Sequence, residues 1–285
     1  AKRGVRMAHI KKHWGKVGLH LSLLFFSFLA FFPLLWVLLT AFQPTDSGVS
    51  FVLGDIIKKG VTFKNFARVT ELIPLAQNFW NTLVSSVIGT LLTLFFCSLA
   101  GFAFAKYRFP GNNFLFLFLL LTMVIPTEVT IVPLFIVMRK LGWINNLLSL
   151  IIPRAATAVG IFYMRQYISA CPTELLEQAR IDGCREFGIF TRIVLPVISP
   201  ALASWGAISL IARWNDFILP KIFLRAPDKQ TLMVSISLLP VSEGLSTPWP
   251  VIMAGVAIAT LPLIVAFVAL QRYDIADIMA GANKG

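Results

Sequence analysis

Long apolar runs alternate along the chain with short polar stretches, and the runs set the architecture. The first covers residues 18–42, with His20 to Phe42 its most apolar part, and others follow at about 79–105, 114–138, 146–163, 199–218 and 251–270. Each reaches the roughly 18 residues with which a helix crosses a bilayer core, so the pattern predicts an all-α polytopic membrane protein with six transmembrane helices. Ser85, Gly89, Ser98 and Gly101 in the second run, and Ala254, Gly255, Ala257 and Ala259 in the sixth, let neighbouring helices approach closely. Pro126 and Pro133 interrupt the third run and Pro262 the sixth. A proline inside a span removes a hydrogen bond and bends the helix, which is tolerable where protein or a water-filled path replaces the lost partner. Residues 43–78 read as an outer loop containing Gly54, Gly60 and Pro74, with Phe63 to Leu75 as an interfacial helix. Residues 219–248 read as a second outer loop, with Pro220, Pro227, Pro240 and Pro248.

One polar stretch, Ala170 to Pro200, lies between the fourth and fifth runs and carries a pattern of its own. Thr173 fits an N-cap, and Glu174 falls in the first turn, where the helix dipole favours an anion. The helix is expected to run to Asp182 and stop at Gly183, the residue best able to take positive φ in a sharp turn. A second short helix follows, with Phe187, Phe190 and Val194 at spacings of three and four, Ile189 and Ile193 beside them, and Pro196 closing it. Such a helix, turn, helix element at a bilayer surface suits a groove on a partner; the alternative is an amphipathic re-entrant helix lying on the headgroups.

Composition reaches the membrane independently. The 285 residues are 57% hydrophobic and only 13% charged, too few charges for a soluble surface. The net charge of +12 invites a nucleic-acid reading, but its distribution argues for topology instead. Of the 25 Lys and Arg, 14 fall on the side of the N-terminus in a six-span arrangement, 9 on the other, and Arg154 and Arg213 lie within spans, a bias that supports both termini in the cytoplasm although charges in the long outer loops count less. Residues 1–17 carry Lys2, Arg3, Arg6, Lys11, Lys12 and Lys16 and no acid, and the apolar run after them exceeds the core of a secretory signal, so it reads as an uncleaved span. Cys97, Cys171 and Cys184 are odd in number and lie in or beside spans, which argues against a disulfide framework. No phosphate-binding G-x-x-x-x-G-K-[ST] loop, H-E-x-x-H or Cys/His ligand set occurs, and His9, His13 and His20 all sit near the N-terminus.

The polar stretch also carries a family resemblance. Glu177-Gln178-Ala179, Asp182-Gly183-Cys184 and, after nine residues, Ile193-x-Leu195-Pro196 resemble the EAA coupling loop in membrane subunits of binding-protein-dependent ABC importers. Gln178 and Cys184 depart from it, alanine being common at both, without altering helix geometry. Asn81-Thr82, Trp214-Asn215-Asp216-Phe217, and the ending from Gln271-Arg272-Tyr273 to Ala280-Gly281-Ala282-Asn283-Lys284-Gly285 are similar to the sugar-importer branch, in particular the maltose-type second permease. The resemblance implies a type I importer permease fold: a cytoplasmic N-terminus (1–17), a first helix (18–42), an outer loop (43–78), a five-helix core (79–272) holding the cytoplasmic coupling loop 166–196 and the outer loop 219–248, and a cytoplasmic tail (273–285). It implies that Glu177, Ala179, Asp182, Gly183, Ile193, Leu195 and Pro196 couple the chain to an ATPase. The implied partners are a homologous but distinct permease, two ATPase subunits that hold ATP and Mg2+, an extracytoplasmic substrate-binding protein, and the lipid of a bacterial or archaeal inner membrane. The chain itself is then no enzyme, has no catalytic residue, and binds no cofactor, metal or nucleic acid.

Charges inside spans are the remaining candidates. Centring one in a bilayer costs about 2.5–3.5 kcal/mol on insertion scales, so Glu128, Arg154, Arg213 and Asp216 are expected to face protein or water and to line the solute path. Trp214 and Asn215 suit a sugar through ring stacking and hydroxyl hydrogen bonds. The alternatives are pairing between helices, for example Arg213 with a carboxylate on an adjacent span, and Trp214 as an interface anchor. For the whole chain, the expected function is the permease half of an ATP-driven importer of a sugar or oligosaccharide. An acidic saccharide or glycerol-phosphate-type cargo, an ion-coupled secondary transporter and a non-transport membrane scaffold remain open alternatives.

Overall fold

The computed structural model describes residues 2–45, 60–242 and 247–282. Parts of the two expected outer loops, 46–59 and 243–246, and the end of the expected tail, 283–285, lie outside the described residues. Among the described residues the chain is helical, with no strand. It divides into two compact units, one of residues 1–69 with 240–258 and one of residues 70–239 with 259–285.

In the first unit, α1 (Lys2–Ala41) contains the span Gly18–Ala41. Its Leu21, Leu24, Phe25, Phe28 and Phe31 are exposed, a surface that only lipid or an apolar partner can cover. Asn65 holds its end: the side-chain amide donates to Ala41 O at 2.7 Å and Gln43 O at 2.8 Å, carbonyls without a helical partner. Asn65 belongs to α2 (Lys64–Leu72), the helix expected at Phe63 to Leu75. The rings of Phe42, Phe63 and Phe66 cluster beside it.

The second unit is built on α3 (Leu75–Lys106), a span four residues longer at its start than the apolar pattern suggests. The third run is two helices, α4 (Asn112–Thr122) and α5 (Thr127–Lys140), bent by 100° at a break that ends on Pro126, whereas Pro133 is accommodated within α5. The fourth run, 146–163, is not one helix. It comprises the short α6 (Leu148–Ile151), an irregular stretch at Pro153 and Arg154, and α7 (Ala158–Ser169), whose first turn is capped by Thr157 accepting from Gly160 N at 3.2 Å. Next come α8 (Thr173–Ile181), α9 (Glu186–Val197) and α10 (Ser199–Trp214), the last two bent by 79°. The fifth run thus ends as a helix at Trp214, before the expected Ile218. Residues 219–248, expected as a loop, are largely α11 (Ile218–Phe223) and α12 (Leu232–Ser242). Leu232, Val234, Ile236 and Leu239 are buried there, which explains the difference: the prolines punctuate helices that pack. The last helix, α13 (Trp249–Ala282), contains the span Trp249–Val268 and continues beyond residue 270.

Three continuous helices and the two bent pairs are long and apolar enough to cross a membrane, and α6 with α7 occupies the remaining predicted run. The chain is therefore an all-α polytopic membrane protein of the expected six-helix class. Close approach to α3 organises this unit, with α7 and α10 lying against it. A Cβ on Gly101 would sit 2.9 Å from both Arg165 N and Met164 Cβ, so the absence of a side chain sets the α3–α7 distance. Cys97, Phe102, Met164, Ile168, Phe190 and Ala201 form the core around this contact.

The break in the fourth run leaves carbonyls without helical partners, and Arg213 donates to them. Its buried guanidinium donates to Leu150 O at 3.1 Å, Arg154 O at 2.6 Å and Thr93 Oγ1 at 2.9 Å. Gly89 makes room, since a Cβ there would overlap the guanidinium. Arg213 thus pairs with backbone rather than with the carboxylate considered from sequence, because a proline-broken helix offers free acceptors where a carboxylate would itself need burying. Arg213→Met is expected to lower the thermal midpoint in detergent, at about 1–3 kcal/mol for each acceptor left without a donor. Gly18→Ala, at a position with nothing within 4 Å, should leave it unchanged. Equal melting of the Arg213 variant and the wild type would refute this role.

Candidate functional site: a cytoplasmic hairpin and an intramembrane cavity

The hairpin of α8 and α9 has a local explanation at each turn. Pro172 occupies the N-cap position and Thr173, expected there, is the first helical residue. Leu176 and Ala179 are buried against the core, while Glu177 on the other face is exposed. At the C-terminus Asp182 is the cap, and Gly183 has φ of +81°. Gly183 N donates to Arg180 O at 3.0 Å and Cys184 N to Ala179 O at 2.9 Å, the paired bonds of a Schellman turn. Nothing lies within 4 Å of a Cβ built on Gly183, so its requirement is conformational and not steric.

In α9, Ile189, Phe190 and Val194 are buried, Ile193 and Leu195 are half-buried, and Phe187 is exposed, so the expected stripe is only partly turned inward. Pro196 is exposed and does not close the helix, which continues to Val197 and turns at Ile198. A π-helical turn over Phe190–Val194 immediately before Pro196 widens the helix where the ring would otherwise crowd it.

Contacts not singled out from sequence fix this hairpin to the end of α3. Arg180 Nε donates to Glu186 Oε1 at 2.8 Å across the Gly183 turn, and the Tyr107 hydroxyl donates to Glu186 Oε2. Lys106 Nζ donates to Cys171 O at 2.6 Å. Burial, and then the bond to Glu186, push the Tyr107 hydroxyl up to about 12, so it stays protonated and donating through the neutral range. Arg180 is raised, chiefly by its bond to Glu186. The legible signal was the pair of opposite charges flanking a glycine turn; Tyr107, far away in sequence, offered none. The outer face leaves Leu175, Ile181 and Phe187 exposed among Glu174, Glu177, Asp182 and Arg185, with Ile181 at 85%.

A cavity of about 610 Å³ lies where the broken third and fourth runs meet the end of α10. It gathers Glu128, Arg154 and Asp216, three of the six residues expected on the solute path, with Thr127, Thr130 and Thr157. Arg154 Nη1 donates to Asp216 Oδ2 at 2.6 Å, both side chains keeping partial access at 32% and 17% exposure. Glu128 is exposed in the first turn of α5, directly after the break. The other three expected residues lie elsewhere. Arg213 braces the broken helix, and Trp214 is buried, its Nε1 donating to Ala259 O at 3.1 Å and its ring edge-on to Phe79. Asn215 caps α10 at the surface. The threonines were not read from sequence; hydroxyls bordering helix breaks were the available signal. No cluster of His, Cys, Asp and Glu able to hold a metal occurs among the described residues.

Asn81-Thr82 has a structural basis. Asn81 Nδ2 donates to Asp228 O at 2.9 Å and Gln230 O at 3.0 Å, and Thr82 Oγ1 accepts from Leu232 N at 2.8 Å. With Asn78, whose amide donates to Pro227 O and Gln230 O, they hold the α11–α12 connection against the start of α3.

Residues 97–274 match the family of the binding-protein-dependent transport system inner membrane component. The chain is 35% identical to the arabinooligosaccharides transport system permease protein AraQ of Halalkalibacterium halodurans, over 92% of this chain and 94% of that protein. It is 32% identical to the lactose transport system permease protein LacG of Rhizobium radiobacter, over 86% and 88%. Among solved structures, a chain of a bacterial ABC transporter involved in the import of the acidic polysaccharide alginate superposes with a TM-score of 0.78 at 25% identity, covering 92% of this chain and 96% of that one. The match takes in the hairpin, the cavity and all the helices that frame them, and this chain belongs to the family of inner membrane components of binding-protein-dependent transport systems.

Proposed function

We propose that this permease forms half of the translocation path of an ATP-driven importer for a neutral sugar or oligosaccharide, and that the α8–α9 hairpin is the joint through which separate ATPase subunits move it. The observation that carries this reading is the continuity of the hairpin with the cavity. α9 passes through its π turn into α10, and α10 ends at Trp214, two residues before Asp216 in the cavity wall. A partner gripping Ile181, Phe187 and the charges around them displaces α9 and α10, and with them the Asp216–Arg154 pair. Glu177, Ala179, Asp182, Gly183, Ile193, Leu195 and Pro196 serve this joint, Gly183 by aiming the two helices and Ala179 by seating α8 on the core.

Membership of the family supports the remaining parts of this reading. A homologous but distinct permease completes the path, two ATPase subunits bind ATP and Mg2+, and an external binding protein delivers cargo. The protein spans the inner membrane several times, and in this reading both termini and the hairpin face the cytoplasm. The names of the relatives support saccharide cargo, arabinooligosaccharides and lactose in two cases. The similar alginate importer favours an acidic one. The cavity favours a neutral one, since Glu128 and Asp216 bring two carboxylates against the single guanidinium of Arg154.

Gly183→Val places a β-branched residue at positive φ, which costs an L-residue about 1–2 kcal/mol. In proteoliposomes of the complete complex, solute moved per ATP hydrolysed is expected to fall severalfold while the complex stays assembled; an unchanged ratio in an assembled variant would refute the joint. Cargo charge is read by competition. The wild type should take up a neutral arabino-oligosaccharide in preference to a uronate oligosaccharide of equal length, and Asp216→Asn, which frees Arg154, should narrow that preference. Preferential uronate uptake by the wild type would overturn the neutral assignment.

A further inference from the structure

A second cavity, of about 410 Å³, opens at the turn between α3 and α4. Arg108, Arg165, Asn112 and Asn113 supply its polar wall, Phe104, Phe109 and Phe114 its aromatic one, and no carboxylate lines it. Arg165 is held in place: its guanidinium stacks over the Phe116 ring at 3.9 Å and its Nε donates to Phe104 O at 3.4 Å. Its two terminal nitrogens have no hydrogen-bond partner among the described residues, and Arg108 has neither hydrogen bond nor ion pair among them. Two arginines border this cavity and no carboxylate is part of its wall, an arrangement suited to an anion.

From the cavity, α4 leads into the apolar part of the bilayer with Phe114, Leu115, Leu117, Phe118 and Leu121 all exposed. A ligand that fills both features carries a phosphate at one end and long apolar chains at the other. We propose that this cavity binds the headgroup of an anionic phospholipid, with its phosphate between Arg108 and Arg165, its glycerol hydroxyls within reach of Asn113, and its acyl chains along α4. The site adjoins Tyr107, which borders the cavity and also holds Glu186 of the hairpin. The inference stands on α3 and α4 as membrane helices and is independent of the cargo.

The test uses the whole importer in nanodiscs of equal parts phosphatidylglycerol and phosphatidylcholine, with retained lipid counted by native mass spectrometry. Phosphatidylglycerol should be retained preferentially, and Arg108→Gln should lower that retention about fivefold, the effect of one basic contact with anionic lipid. Arg139→Gln, which removes an equal exposed charge at the far end of α5, should leave it unaltered. Equal retention of both lipids, an Arg108 variant like the wild type, or the same loss in the Arg139 variant would overturn the proposal. Displacement of the lipid by millimolar inorganic phosphate would also overturn it, marking a site for a free oxyanion.

Discussion

A proline-broken helix inside a membrane is tenable only if something replaces its hydrogen bonds, and in this protein that something is Arg213. Its planar fork reaches two backbone carbonyls and a hydroxyl at once, which a lysine could not match in geometry. The brace works because Gly89 leaves the space for it. Once the fourth run is held open at Pro153, the side chain of Arg154 is free to meet Asp216 across a cavity instead of being wrapped into a continuous helix. The third run, opened at Pro126, brings Glu128 to the same space. Charge and irregular backbone share this cavity for one reason, since each is tolerated at membrane depth only beside protein or water.

The hairpin obeys a different constraint. It is shaped by a Schellman turn at Gly183 and tied to α3 through Tyr107, Glu186, Arg180 and Lys106. Its buried face belongs to the same core as α3 and α7. A load applied to the exposed face is therefore carried by packed side chains and by the covalent path through α9 into α10. The π turn lies just before Pro196, and the 79° bend follows at Ile198.

Much of this is legible in the sequence. Apolar run length gave the spans, because a bilayer imposes a minimum length on any helix that crosses it. Gly183 could be read as a turn because positive φ is a local property. Sequence reading was less successful where partners lie far apart along the chain. Trp214 has the chemistry of a sugar site and Arg213 that of a charge on the solute path, yet both are buried, one bonded to Ala259 and one to Leu150, Arg154 and Thr93. The stretch 219–248 looked like a loop because prolines punctuate it, but its apolar residues pack and Asn78, Asn81 and Thr82 tie it down.

The sequence by itself determined that the chain is a helical membrane protein built on long apolar runs, and that a glycine-hinged polar hairpin separates the fourth run from the fifth. These are matters of composition, period and local backbone preference, and each acts over a few turns of helix. Only the tertiary structure decided which charges meet in the cavity, which arginine serves as a brace, and what holds the hairpin. Those outcomes depend on helices brought together from distant parts of the chain, and a one-dimensional pattern does not encode which faces will touch.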